Sequence, residues 1–138
     1  MDEAEARRRF SEGRVGRMAS VDAGGQPHAV PVVFAVDGDW IYSIVDAKPK
    51  RSMQLKRLAN VAADPRVSLV VDHYDEDWTT IWWARADGAA QVVEDGPLRD
   101  RAIDLLCRKY SQYRRDPPMT FGPAVVIIVH HWRGWAAG

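Results

Sequence analysis

The sequence predicts a mainly β domain: a six-stranded antiparallel barrel with peripheral helices. Three observations predict it. Six segments carry strand-type residues, several of them alternating, and only three carry helical spacing. The first strand-like segments are joined by short turns, Asp22-Ala23-Gly24-Gly25 and Asp37-Gly38, which suit a meander and not βαβ crossovers. No repeat, low-complexity tract or linker divides the 138 residues, so the chain reads as a single domain, 1–138.

The elements follow in order. Asp2 to Glu12 joins Ala, Glu and Arg, with acids early and cations later as the helix dipole prefers, and Gly13 ends it. Arg14 to Val21, Pro27 to Val36 and Trp40 to Val45 read as three consecutive strands. Ser52 to Ala62 reads as a helix, with Leu55, Leu58, Ala59 and Ala62 on one face, Ser52 as N-cap and Asp64-Pro65 as stop. Arg66 to His73 alternates, with Val67, Leu69 and Val71 on one side. Thr80 to Val93 is a long strand in which Gly88 marks a bulge. Gly96-Pro97 opens a helix whose stripe is Leu98, Ala102, Leu105, Leu106, Tyr110 and Tyr113. Asp116-Pro117-Pro118 breaks the chain before a last strand, Ala124 to Trp132.

Several strands are apolar on both faces: Val30, Val32 and Phe34 alternate with Ala29, Pro31, Val33 and Ala35, and Trp82 with Trp83. A small barrel has one interior, so the apolar exterior needs helices and a second subunit, and a homodimer is expected.

Charge is balanced in sum, 19 cations against 19 acids, which argues against a dedicated duplex-DNA binder. It is not balanced in place. Ala47 to Ala63 holds Lys48, Lys50, Arg51, Lys56 and Arg57 and no acid, so this segment is +5 and the remainder −5. Five cations in ten positions repel one another unless solvent, carboxylates or a bound anion compensates. Three of them lie between a strand end and a helix start, where free backbone N–H groups favour anions, so a phosphate or carboxylate ligand is the sharper reading and a solvated helix start the plainer one. Cations gathered at one junction do not line a groove for single-stranded nucleic acid.

The remaining signals are weaker. Asp72, His73, Asp75 and Asp77 crowd one loop, and close neighbours seldom converge on one ion, so no metal site is expected. His130 and His131 read as structural, and Cys107, the single cysteine, as a small packing residue. The charged stretch Met1 to Phe10 lacks the apolar run of a signal peptide. The run Ala124 to Val129 is far below the ~20 residues of a membrane helix. A cytoplasmic protein is expected.

Three stretches carry a resemblance: Gly13 to Asp22 (GRVGRMASVD), Gly25 to Val32 (GQPHAVPV) and, after the basic helix start, Asn60 to Val70 (NVAADPRVSLV). Together they resemble the pyridoxamine-phosphate-oxidase-like split β-barrel superfamily, whose members bind FMN or the deazaflavin F420 at a dimer interface. Asp46 to Arg51 (DAKPKR), Asp72 to Trp78 (DHYDEDW) and Trp82 to Gly88 (WWARADG) resemble its actinobacterial F420-dependent subgroup. The resemblance implies cofactor phosphate against Lys48, Lys50, Arg51 and Arg57, Lys56 toward an acidic tail, and the backbone of Val30, Pro31 and Val32 along the ring system. F420 bears a phosphodiester and a polyglutamate tail, which five cations suit better than the single phosphate of FMN. It further implies hydride transfer to an unsaturated acceptor, with the cofactor supplying the chemistry. Trp78 and Trp83 are candidate walls of the substrate pocket, set against the reading of each as core or dimer interface. Arg85 is a candidate for an anionic substrate, set against pairing with Asp87. His28 enters the strand that lines the cofactor, as a structural histidine or a proton donor. The alternatives are an FMN-dependent oxidase or reductase of the same fold and a non-catalytic flavin- or haem-binding module.

Overall fold

A computed structural model describes residues 1–46, 52–114 and 120–138, with the backbone alone at 46 and 52–55. Seven strands form one antiparallel sheet: β1 (Gly16–Val21), β2 (Pro27–Val32), β3 (Ala35–Asp37), β4 (Trp40–Asp46), β5 (Arg66–His73), β6 (Trp82–Val93) and β7 (Phe121–Ala136). Their order is β2-β1-β5-β6-β7-β4-β3. The sequence predicts six strands; the seventh arises because Pro27 to Val36 is two strands. Its first part pairs with β1 and its last with β4, at opposite edges of the sheet. Between the two, at Val33-Phe34, the pairing breaks. The hydrogen-bonded ladder therefore does not close, and the chain itself crosses the gap as a split barrel.

That break strands the backbone polar groups of Phe34, and one side chain satisfies them. The Phe34 N–H donates to the Tyr110 hydroxyl at 3.2 Å. The hydroxyl's proton is shared between the carbonyls of Phe34 and Arg14, each at 3.0 Å. The Phe34 ring is fully buried, with Phe10 at 4.9 Å, and Phe10 meets Trp132 edge-on at 5.3 Å. Lys109 lies over Phe34, its ammonium 3.9 Å from the ring centre and donating to the Ser11 carbonyl at 3.2 Å. Burial, with the nearby Arg14 charge, lowers the Lys109 pKa to about 8.

Three helices cover the sheet. α1 (Glu3–Glu12) is capped by Asp2, which accepts from the Glu5 N–H at 2.8 Å, and inserts Ala6 and Phe10 into the core over β5, β6 and β7. α2 (Ser52–Ala63) packs on β1 and β6, with Val61 in the core and Asn60 donating to Ser20 at 3.1 Å, both buried. α3 (Pro97–Lys109) follows Gly96, whose φ of 91° few other residues adopt. It lays Ala102, Leu106 and the adjoining Tyr110 on the outer face of β3, β4 and β7, against Ala35, Tyr42, Ile44, Ala124 and Val126. The break predicted at Asp116-Pro117-Pro118 lies outside the described residues. The bulge predicted at Gly88 is present: β6 and β7 shift register between Asp87 and Gly88, leaving His130 as the extra residue. A Cβ on Gly88 would stand 2.1 Å from the Ile128 carbonyl oxygen. Among the described residues no helix is long and apolar enough to cross a membrane.

None of these helices covers the outer face of β2, β1, β5, β6 and the far half of β7. Register places two rows across it, Pro31–Arg17–Val70–Arg85–Arg133 and Ala29–Ala19–Ser68–Asp87–His131. Their side chains are exposed or half-buried.

Tyr110→Phe removes the hydroxyl and leaves Phe34 unsatisfied in the core, so it should lower unfolding free energy by about 1–3 kcal/mol in urea titration. Lys109 gives a pH signature. The folded amine releases its proton near pH 8, whereas the unfolded one holds it to about 10.4. Between those values the unfolded chain binds more protons, so stability should rise with pH from about 8 until Tyr110, whose pKa burial raises above the usual tyrosine value, opposes it near 10. Lys109→Met should flatten that rise.

Candidate functional site

The turn between β1 and β2 is organised by Asp22. One carboxylate oxygen accepts the backbone N–H groups of Gly24 and Gln26, each at 2.9 Å, fixing the turn. The other faces the Lys56 ammonium at 3.4 Å and the His28 Nε2 at 3.7 Å. The Gln26 N–H, helped by that of Gly24 and by Lys56, holds the Asp22 pKa below the usual carboxylate value. His28 pairs in register with Ser20, whose hydroxyl accepts from Asn60 of α2, and its Nε2 is buried without a hydrogen bond among the described residues. α2 thus carries Lys56 to the end of the β1–β2 hairpin, where it shares the Asp22 carboxylate with His28; Arg57, the next residue of α2, is half-buried. Lys48, Lys50 and Arg51, the other cations of the basic segment, lie outside the described residues.

The strand expected to follow a ring system is the sheet edge, β2. Val32 is buried, Val30 is partly buried and both pack into the core, whereas Ala29 and Pro31 face outward and are exposed. Pro27 and Pro31 have no N–H to donate, so their positions belong on the unpaired side of an edge strand. By the same alternation the ladder to β1 uses His28, Val30 and Val32, and the Ala29 N–H with the Ala29 and Pro31 carbonyls faces the open edge. The free backbone is therefore centred on Ala29 and Pro31 and not on the valines.

The residues named for a substrate pocket lie on different elements: His28 on β2, Trp78 before β6, and Trp83 and Arg85 on β6. Trp83 lies opposite Trp135 on the uncovered face. Its neighbour Arg85 sits 5.7 Å from the Trp83 ring centre and donates through Nε to Asp87 at 3.0 Å, the pairing that the sequence left open. Trp78 is 76% exposed, at the head of a short turn, Trp78–Thr80. The acids around it hold that turn: Asp77 accepts from the Thr79 N–H and hydroxyl, and Asp75 from the Asp77 N–H, the Thr80 hydroxyl and His73. Among the described residues no group of three or more His, Cys, Asp or Glu is placed to hold a metal ion. Asp22 and Ala29 were missed from the sequence. Asp22 read only as a turn residue, because its reach to Lys56 spans 34 positions and no local pattern records it.

Comparison with known proteins adds the following. The family described as pyridoxamine 5'-phosphate oxidase matches residues 2–136. A conserved hypothetical protein of Mycobacterium tuberculosis is 26% identical, with a TM-score of 0.77 over 99% of this chain and 86% of its own. A protein of Mesorhizobium loti described as FAD-binding is 23% identical, with a TM-score of 0.73 over 97% and 94%. A heme-binding protein of Mycobacterium smegmatis is 20% identical, with a TM-score of 0.74 over 96% of this chain but 53% of that one. The last two share the fold with this chain.

The bonds that lower the Asp22 pKa make it a source of acid sensitivity. Its contribution is present above the ordinary aspartate pKa and is lost as pH falls through the lower folded value. Asp22→Asn should therefore melt at a lower temperature than the parent at neutral pH, and the gap should narrow below about pH 4.

Proposed function

Because the chain belongs to the pyridoxamine 5'-phosphate oxidase family, we propose that it binds a phosphorylated flavin-type cofactor and acts as an oxidoreductase on a small unsaturated molecule, with the deazaflavin F420 as that cofactor. The observation that carries this reading is the junction: α2, which continues the basic segment, brings Lys56 to the Asp22 carboxylate that His28 also faces, at one end of an edge strand with free backbone groups.

The residues present fit such a group. The buried His28 Nε2 has no hydrogen bond among the described residues, as expected of a site completed by a ligand oxygen. Lys48, Lys50, Arg51 and Arg57 would hold phosphate, and Lys56, shared with Asp22, would meet a more distant carboxylate. Ala29 and Pro31 would present backbone groups to a planar ring at the sheet edge. Bound there, the deazaflavin supplies two-electron hydride chemistry, and the protein supplies position, charge and exclusion of water. A second copy of the chain would cover the outer face that α3 leaves open, where Ala19, Ala29, Pro31, Val70 and the Trp83–Trp135 pair otherwise meet solvent.

FMN is the second reading. The family description and the FAD-binding relative favour a flavin proper. The heme-binding relative adds a non-catalytic haem module as a further outcome, although this chain spans about half of that protein.

Titration with F420, FMN and haem, followed by tryptophan fluorescence, tests these together. F420 should bind at micromolar concentration. FMN bound in its place and retained through purification would move the assignment to the second reading, and failure to bind either would refute the oxidoreductase. Lys50→Ala combined with Arg51→Ala should weaken binding roughly tenfold or more, with a smaller loss at high salt. Unchanged affinity would remove the junction from the site.

A further inference from the structure

The Asp22 carboxylate meets two side-chain nitrogens with one oxygen. Oδ1 is committed to the turn through the N–H groups of Gly24 and Gln26. Oδ2 has the Lys56 ammonium at 3.4 Å and the His28 Nε2 at 3.7 Å. The three side chains come from three elements: the β1–β2 turn, α2 and β2. Asp22, His28 and Lys56 keep 24%, 36% and 45% of their side-chain surface, so water screens their charges only in part.

The two contacts are unequal. Lys56 donates a hydrogen bond to Oδ2, whereas 3.7 Å is too long for one from His28. Asp22 does not take up a proton near neutral pH, because the turn N–H groups and Lys56 hold its pKa below the usual carboxylate value. Of the three side chains, only an imidazole is of the type that changes charge between pH 5 and 8. Across the ladder from it stands Ser20, which accepts from the buried Asn60. α2, packed on β1, carries Arg57 next to Lys56 as its other charge among the described side chains.

We propose that an anion engaging Lys56 hands the shared Asp22 oxygen to His28, so that ligand binding at the junction takes up a proton on the imidazole. Drawn to a ligand carboxylate or phosphate, the ammonium leaves Oδ2 facing His28 alone. An opposite charge so near favours the protonated imidazole. The ligand brings the anion and solvent brings the proton, and the one covalent bond that forms is N–H. Affinity therefore falls as pH rises through neutrality. A lysine alone, charged throughout that range, gives no such slope. The identity of the ligand rests on the cofactor reading; the coupling among Lys56, Asp22 and His28 does not.

Two measurements on the full chain test it. The first is the imidazole titration of His28 without ligand, followed by NMR and assigned by its loss in His28→Gln. Lys56→Met, with Lys56→Gln beside it, removes the ammonium as the anion would. Either should move that titration to higher pH by roughly half a pH unit or more. The same change made in Asp22→Asn should move it at most about half as far. The second is calorimetry with F420 at pH 7 in two buffers of different ionisation heat. The parent should take up more protons than His28→Gln, and its affinity should fall about threefold more between pH 6 and 8. No movement in the Lys56 variants, or equal movement with and without the Asp22 carboxylate, would overturn the coupling. F420 bound with equal proton uptake in the parent and His28→Gln would overturn the proposal and leave the cofactor reading intact. F420 left unbound, with the NMR shifts as expected, would refute the cofactor reading and leave the coupling standing.

Discussion

The hydroxyl of Tyr110 stands where the chain passes from one edge of the sheet to the other, and the barrel depends on that passage. A sheet of seven strands with β2 and β3 at its ends must either close by hydrogen bonds or leave two open edges. Here the covalent chain joins the edges through Val33 and Phe34, which ladder with neither side. The N–H and C=O of Phe34 would be buried and unpaired but for Tyr110, which also takes hold of the Arg14 carbonyl just before β1. One hydroxyl thus ties the end of α3, the approach to β1 and the crossing to a single point. Phe10, Phe34 and Trp132 pack beneath it as one aromatic group.

From that crossing the rest of the layout follows. Because β2 leaves the sheet at Val32, it remains an edge strand, and an edge strand can carry Pro27 and Pro31 without losing ladder bonds. The same prolines leave the open side of β2 without an N–H at positions 27 and 31. α3 must end at Tyr110, so it can clothe only β3, β4 and the near half of β7. The outer face of the remaining strands is left bare for that reason. The apolar residues there are the cost of placing the one long helix where it anchors the crossing.

The sequence already contains much of this. Alternation at Arg66 to His73, the Gly88 bulge and the spacing of the α3 stripe each depend on near neighbours, and each is present in the structure. The division of Pro27 to Val36 was not legible, because the choice of partner separates the halves and those partners, β1 and β4, flank the segment on both sides. Tyr110 read as one member of a helical stripe; its role as a satisfier of backbone depends on Phe34, 76 positions away. At the site, the basic segment and Arg85 beside Asp87 were visible as charge. The pairing of Lys56 with Asp22 was not, since a turn aspartate looks complete once its own backbone bonds are counted.

That pairing changes how the basic segment is weighed. Counted in sequence, five cations await an anion. In the fold, Lys56 already has a carboxylate at 3.4 Å, and that carboxylate lies 3.7 Å from His28 as well. An incoming phosphate or carboxylate must share these groups with Asp22, whose own charge is secured by the backbone N–H groups of the turn and is not given up near neutral pH. Asp22 therefore acts as a built-in competitor. It offsets the Lys56 charge when no ligand is bound.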